Sequence, residues 1–315
     1  MNGRPPSVTV LMAVRNGERF IRTALESVLN QTYGDFLFRI VDDASTDGTR
    51  EVIRSIRDER VELTSLEKNV GQTAALNIGL KRSESPWIAR MDADDWSAAT
   101  RLEEQRAALQ EDPSLACVGT GVWEFREDPQ KRGAVILRPE RHADIQRASL
   151  LGSGMIHGSI LVSRRALLDI GGYDERYRYA SDRDLFIRLF SRYRARNIPK
   201  PLLGIRRHAG QDSFSLAAAD EYIQLFSRFL LLDGFAPNDK QTLRESLAYS
   251  HLFRASCLRR RGDFIEGYGE WRRALRTSPK VVARYLLGRV GAFLIPDVLR
   301  SRWSERRLGV RYEPE

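Results

Sequence analysis

Cysteine is almost absent from this chain of 315 residues: Cys117 and Cys257 lie far apart and in no C-x-x-C arrangement. That excludes a disulfide framework and a zinc site, and it fits a reducing cytoplasm. No apolar stretch is long and uncharged enough to span a bilayer. Met1 to Ser7 is short, polar and proline-bearing, so no secretory leader is expected there. The first apolar run is not followed by a glycine-rich basic loop. Arg15-Asn16-Gly17-Glu18 stands in its place, a poor cradle for a triphosphate.

What is present describes a soluble globular protein, with 42% hydrophobic and 30% charged residues. The length suits one large α/β domain plus an appendage. The net charge of +9 is concentrated at one end, because His251 to Glu315 holds fifteen Lys and Arg against seven Asp and Glu. Such asymmetry asks for an anionic partner, a membrane surface or a nucleic acid.

The first hundred residues alternate strand and helix patterns. Ser7 to Val14, Phe36 to Val41, Val61 to Thr64 and Trp87 to Met91 are short apolar or β-branched runs, and each intervening segment repeats apolar residues at helical spacing. Four such alternations predict a largely parallel sheet covered on both faces, with ligands at the carboxyl ends of its strands. By that rule Ala13 to Asn16, Asp42-Asp43, Asn69 and Asp92 to Asp95 gather on one rim. The last group is the most telling: Trp87-Ile88-Ala89-Arg90-Met91 runs straight into Asp92-Ala93-Asp94-Asp95. Three carboxylates in four positions repel one another, and Mg²⁺ or Mn²⁺ holds such groups readily when a substrate phosphate completes its shell. An acidic turn, or an N-cap for the helix near Ala98, would use the same residues.

Further on, the pattern predicts a helix over 101–110, a strand over 117–123, a polar excursion over 127–133 and a helix over 142–151. Gly152-Ser153-Gly154 reads as a loop that lets the backbone approach a ligand or that moves. A strand is expected over 155–163, then a helix closed by Gly171-Gly172. A final strand pair is expected between Arg196 and His208, with Gln211 to Ser213 beyond it.

Five segments in order resemble the nucleotide-sugar half of the family 2 inverting glycosyltransferases over residues 7 to about 210. They are Val8 to Gly17, Ser27 to Tyr33, Ile40 to Thr49, Asn69 to Gly79 and Met91 to Asp95. The resemblance implies a GT-A fold, a Rossmann-like, mostly parallel sheet with helices on both faces, spanning residues 1–214. It also implies a nucleoside-diphosphate sugar as donor and Mn²⁺ or Mg²⁺ as cofactor. Asp94 and Asp95 would hold the cation with His208, helped by Asp92. Ala13, Arg15, Asn16, Asp43, Asn69, Gln72, Asp92 and Arg207 would line the donor site. The first Asp of the stretch Ser181-Asp182-Arg183-Asp184-Leu185 matches the family's catalytic base, so Asp182 takes that role. Two departures stand out: Ala13-Val14-Arg15-Asn16 replaces the usual Pro-Val-Tyr-Asn, and Ser181 replaces a Glu. Taken alone, Asp182 also reads as a dipole partner at a helix start, and Arg207-His208 as a plain surface pair. Asp184 reads as structural, paired with Arg188 one turn on.

Residues 215–315 change to helices rich in Leu, Arg and Ala. Gly262 to Pro279 is similar to half of a tetratricopeptide repeat and predicts a helical hairpin. Residues 281–296, apolar but broken by Arg284 and Arg289, suit either a helix lying in an anionic lipid interface or a core helix. The expected acceptor is a saccharide, lipid-linked or other hydroxyl, and no nucleic acid is expected. The expected location is the cytoplasm, peripheral to the inner face of the membrane. The alternatives are a sugar-phosphate nucleotidyltransferase and a non-catalytic basic scaffold.

Overall fold

The computed structural model describes residues 5–208, 215–294 and 312–313. Gln211 to Ser213 and the arginines from Arg300 to Arg311 therefore lie outside the described residues. Strands β1 (Val8–Val14), β2 (Phe36–Asp42), β3 (Val61–Ser65) and β4 (Trp87–Arg90) form a parallel block in the order β3-β2-β1-β4. The connections between them are helices α1 (Ile21–Leu29), α2 (Thr49–Ser55) and α3 (Gln72–Arg82). Because side chains alternate along each strand, Val8, Val10, Met12 and Val14 pack on α1 on one face. Leu11 and Ala13 pack on α3 on the other. Both faces are thereby covered, as the continuous apolar strands require.

Beyond β4 the sheet becomes mixed. Strand β5 (Trp96–Ser97) follows the acidic loop, and helix α4 (Arg101–Glu111) leads to the long β6 (Leu115–Phe125). After β7 (Val135–Ile136), helix α5 (His142–Leu150) and a 3₁₀ turn at His157–Ser159, the short β8 (Leu161–Ser163) lies antiparallel between β4 and β6. Helices α6 (Arg164–Asp169) and α7 (Ser181–Phe190) precede β9 (Arg194–Arg206), which pairs parallel with β6 and antiparallel with β5.

Two local expectations change. The predicted strand over 155–163 is a strand only from Leu161, because residues 157–159 curl into the 3₁₀ turn. The predicted pair between Arg196 and His208 is one continuous strand, whose register shifts around Pro201 spare the ladder a missing N–H. Gly152 and Gly154 are both closely packed, and Gly152 has a left-handed backbone (φ 77°). A Cβ on Gly152 would lie 2.6 Å from the Arg183 guanidinium, and one on Gly154 would lie 2.6 Å from the Ile145 carbonyl.

The remaining helices are α8 (Leu216–Leu231), α9 (Pro237–Arg261), α10 (Phe264–Thr277) and α11 (Pro279–Leu294). Helices α9 and α10 form the expected hairpin, and α11 buries Val281 and Val282 against it, with Arg284 reaching Glu245 at 3.6 Å. The start of α11 is thus a packed helix rather than one lying free for a lipid interface. Among the described residues no helix is long and apolar enough to cross a membrane.

Gly204 of β9 fixes the seam next to the acidic loop. It pairs with Trp96 on one side and Trp123 on the other, and a Cβ there would sit 2.9 Å from the buried Trp123 ring and 3.0 Å from Phe125. Gly204→Ala is expected to destabilise the fold by about 1–3 kcal/mol. A thermal melt checks this, and an unchanged midpoint would show that the indole yields freely.

Candidate active site

A cleft of about 960 Å³ opens where the parallel strands end. Ala13, Val14 and Arg15 line it at the end of β1, Asp43 just past β2, Asn69 and Gln72 after β3, and Arg90 and Asp92 at the end of β4. Facing them are His157, the segment around Arg178 to Asp182, and Ala218 and Tyr222 of α8. The convergence follows from the parallel block, since each of these strands delivers its last residues to the same edge.

Asp43 shapes the floor. Its two carboxylate oxygens accept the backbone N–H groups of Val70 and Gly71, at 2.7 and 2.9 Å, just before α3 begins. An acid at that position complements the helix N-terminus and holds the Asn69 loop against β2. Asn16 departs from expectation, since it is not part of the cleft lining. Its backbone is left-handed (φ 54°), and its side-chain oxygen accepts the Thr46 N–H at 2.8 Å. An asparagine tolerates that conformation, so the residue is explained by its turn. Arg207 is also turned away: its guanidinium grips Glu124, with Nε at 3.0 Å.

The acidic loop is threaded among buried arginines. Asp92 accepts from the Arg90 guanidinium at 2.5 Å and faces the Gln72 amide at 3.4 Å. Burial raises the Asp92 pKa, but Arg90 outweighs it and holds the carboxyl below the usual range. Asp95 is the opposite case: burial, then Asp92 and Asp94, push it well above the ordinary carboxylate value. One Asp95 oxygen accepts the Arg206 backbone N–H at 3.1 Å. Beneath lies Arg101, which donates to the Gly158 carbonyl at 2.9 Å and whose own pKa burial lowers to about 10. Asp94 meets the His208 ring, with Nε2 3.1 Å from Oδ2.

Asp182 sits in the first turn of α7 and accepts the Arg183 N–H at 2.7 Å. Desolvation raises its pKa; the nearby Arg183 opposes this and the Asp92 charge adds to it. Asp184, two residues on, is fully buried and bound by Arg188 Nε at 2.7 Å, which gives it a structural role.

Residues 9–171 match the profile described as Glycosyl transferase family 2, which covers more than half of the chain. The chain is a family 2 glycosyltransferase. It is 30% identical over 213 residues to the O-antigen biosynthesis glycosyltransferase WbnJ of Escherichia coli, covering 64% of this chain and 80% of WbnJ. Among solved structures it resembles S. aureus TarS 1-349 in complex with UDP-GlcNAc, with a TM-score of 0.67 at 21% identity over 88% of this chain and 81% of that one. The mannosyltransferase PcManGT of Pyrobaculum calidifontis, in complex with GDP-Man and Mn²⁺, aligns with a TM-score of 0.62 at 21% identity over 97% and 85%. The transferase therefore has the GT-A fold with a helical C-terminal region.

The acids of this transferase fit a hard divalent cation only with a partial protein shell. Among the described residues no three His, Cys, Asp or Glu side chains surround a common metal position. Asp94 and His208 do come together, and oxygens of Asp92 and Asp95 both face Gly158, where an added Cβ would lie 3.2 and 3.4 Å from them. Carboxylate oxygens gathered this closely are suited to a cation whose remaining positions go to phosphate oxygens and water.

Sequence reading missed several parts of the cleft. His157 is in the 3₁₀ turn, hydrogen-bonded through Nε2 to the Tyr173 hydroxyl at 2.7 Å, and burial lowers its pKa to about 3. Tyr222 lies 4.0 Å below the Arg183 guanidinium. Glu221, beside it on α8, accepts the backbone N–H groups of Arg178, Tyr179 and Ala180 at 3.0, 2.6 and 2.9 Å. These amides immediately precede α7, so a carboxylate from the C-terminal helices fixes the start of the helix that carries Asp182. The sequence signal is an adjacent acid and tyrosine, Glu221 and Tyr222, in the helical segment after residue 215.

Glu221→Ala is expected to cost about 1–2 kcal/mol of stability, since three amide donors lose a charged acceptor. Turnover should fall with it, and Glu221→Gln should recover part of both. A melt and a rate that match the parent would remove Glu221 from this role.

Proposed function

We propose that this transferase moves a sugar from a nucleoside-diphosphate donor to an acceptor hydroxyl with inversion at the anomeric carbon. Its setting would be the synthesis of a cell-surface or extracellular polysaccharide or glycolipid. The observation that carries the reading is that Asp182 at the start of α7 and Asp92 at the end of β4 line one cleft with Asp43 and Asn69. The donors named in the TarS and PcManGT complexes support a nucleotide sugar, and WbnJ supports a saccharide product. Family membership disfavours the nucleotidyltransferase and scaffold alternatives. Two free, buried cysteines suit work in a reducing cytoplasm.

In this reading the nucleoside lies along Ala13, Arg15, Asp43 and Asn69, with the Arg15 guanidinium against the base. Gln72 and Asp92 reach toward the sugar and diphosphate. Mn²⁺ or Mg²⁺, held by Asp94 and Asp95 with His208 and supported by Asp92, would neutralise charge on the departing diphosphate. The acceptor oxygen attacks the anomeric carbon from the face opposite the leaving group. As the new C–O bond forms and the bond to phosphate breaks, the hydroxyl proton passes to Asp182. One base is sufficient, because the diphosphate leaves as an anion and needs no proton. Desolvation makes Asp182 a stronger base than a carboxylate in water, which suits that transfer.

The deciding experiment is a screen of nucleotide sugars for Mn²⁺-dependent release of the nucleoside diphosphate. No release with any donor would overturn the reading. Asp182→Asn should keep donor binding and lose turnover by about a hundredfold or more. Because the base acts deprotonated and its pKa is raised, kcat/KM should fall with decreasing pH through a midpoint above the ordinary carboxylate value of 3.8. An acidic limb at or below that value would rule Asp182 out as the titrating group. Replacing Asp94 and Asp95 with Ala should abolish the Mn²⁺-dependent part of donor binding in calorimetry, and binding that stays as metal-sensitive as before would remove them from the cation site.

A further inference from the structure

The hairpin formed by α9 and α10 has one face that the catalytic unit does not use. Helix α10 turns Gly267, Glu270 and Ala274 inward, against α9 and α11. At 100° per residue, Phe264, Leu275, Tyr268, Arg272, Ile265 and Arg276 follow one another around an outward arc of about 120°. All six are exposed, with Ile265 at 92%, Tyr268 at 68% and Phe264 at 67%. Large apolar side chains this open, in a continuous stripe, call for a covering surface.

Charge on the hairpin is sorted around that stripe. The two acids within α10 are both engaged by α9: Arg254 reaches Glu266 at 2.8 Å and Glu270 at 2.9 Å, and His251 meets Glu270 at 2.6 Å. The outward arc therefore carries Arg272 and Arg276 and no carboxylate. The turn joining the two helices carries exposed Arg259, Arg260 and Arg261 against one exposed acid, Asp263. A two-fold dimer through this face would set one basic stripe against another with no carboxylate between them, and like charges there repel. A membrane with anionic headgroups over an apolar interior complements both components at once.

We infer that the outward face of α10 docks this transferase on an anionic lipid bilayer, with Phe264, Ile265, Tyr268 and Leu275 entering the headgroup boundary and Arg272 and Arg276 meeting lipid phosphates. The inference does not depend on the sugar-transfer reading, because it rests on surface residues outside the cleft.

The test is flotation of the full chain with vesicles of pure phosphatidylcholine, and with vesicles in which phosphatidylglycerol replaces part of it. The chain should float with the mixed vesicles and not with phosphatidylcholine alone, and raised salt should weaken binding. Phe264→Glu with Ile265→Glu, and separately Arg272→Glu with Arg276→Glu, should each weaken it by about tenfold or more. Melting temperature and light scattering of each variant report fold and oligomeric state. Because the four positions are exposed, the melts should match the parent. Failure of the parent chain to float, equal binding to both vesicle types, or folded variants that float as before would each overturn the inference. So would a dimeric parent that the Phe264 and Ile265 changes render monomeric, since the stripe would then be a subunit contact.

Discussion

The feature on which this molecule turns is a set of like charges forced together where β4 ends. Asp92, Asp94 and Asp95 lie within four positions just after a buried strand, and at the buried Asp95 the neighbouring charges add to burial in opposing ionisation. The fold answers it with Arg90 on Asp92, the Arg206 amide on Asp95, and Arg101 below the loop, and the stretch Trp96–Ser97 pins the far end by pairing with β9. Breaking such arrangements by removing one partner leaves a charge without compensation, which is why buried charges need their partners present together. These partners hold the loop's backbone and its acids in place between β4 and β9.

Composition changes near residue 215, and the sequence divides there into a sugar-nucleotide domain and a basic appendage. In three dimensions the next helix completes the cleft: Ala218 and Tyr222 line it, Glu221 holds the amides ahead of α7, and Arg228 reaches Asp174 at 2.9 Å. Helix α8 therefore belongs with the cleft, and α9 is tied to it in turn through Ser246 on the Leu150 carbonyl and Arg254 on Asp220.

Much of this was legible in the sequence, for physical reasons that differ from place to place. The four alternations were readable because a parallel sheet buried on both faces leaves unbroken apolar runs, and the strand ends located the rim. Asp184 was readable because the spacing to Arg188 is one helical turn. Asn16 and Arg207 were not, since a family motif does not distinguish a side chain that shapes a turn from one that touches a ligand. The 3₁₀ turn at His157 was hidden within an apolar stretch. Its cause is long-range: Gly158 passes close to Asp92 and Asp95, and a bulkier residue would crowd their oxygens. The continuity of β9 was masked by Pro199 and Pro201, which reads as an interruption when the register shifts that absorb the second proline cannot be seen.

The bond from Glu221 to the backbone ahead of α7 has a consequence for how enzymes of this build diversify. If acceptor preference resides in the C-terminal helices, exchanging them between relatives looks like a simple way to obtain new products. Here the exchanged part also carries the anchor for the helix that bears Asp182, so a graft joined at the change of composition would take away the anchor together with the specificity. Recombination that leaves α8 with its original sheet, and joins the foreign segment at the loop before Pro237, keeps the two properties separable.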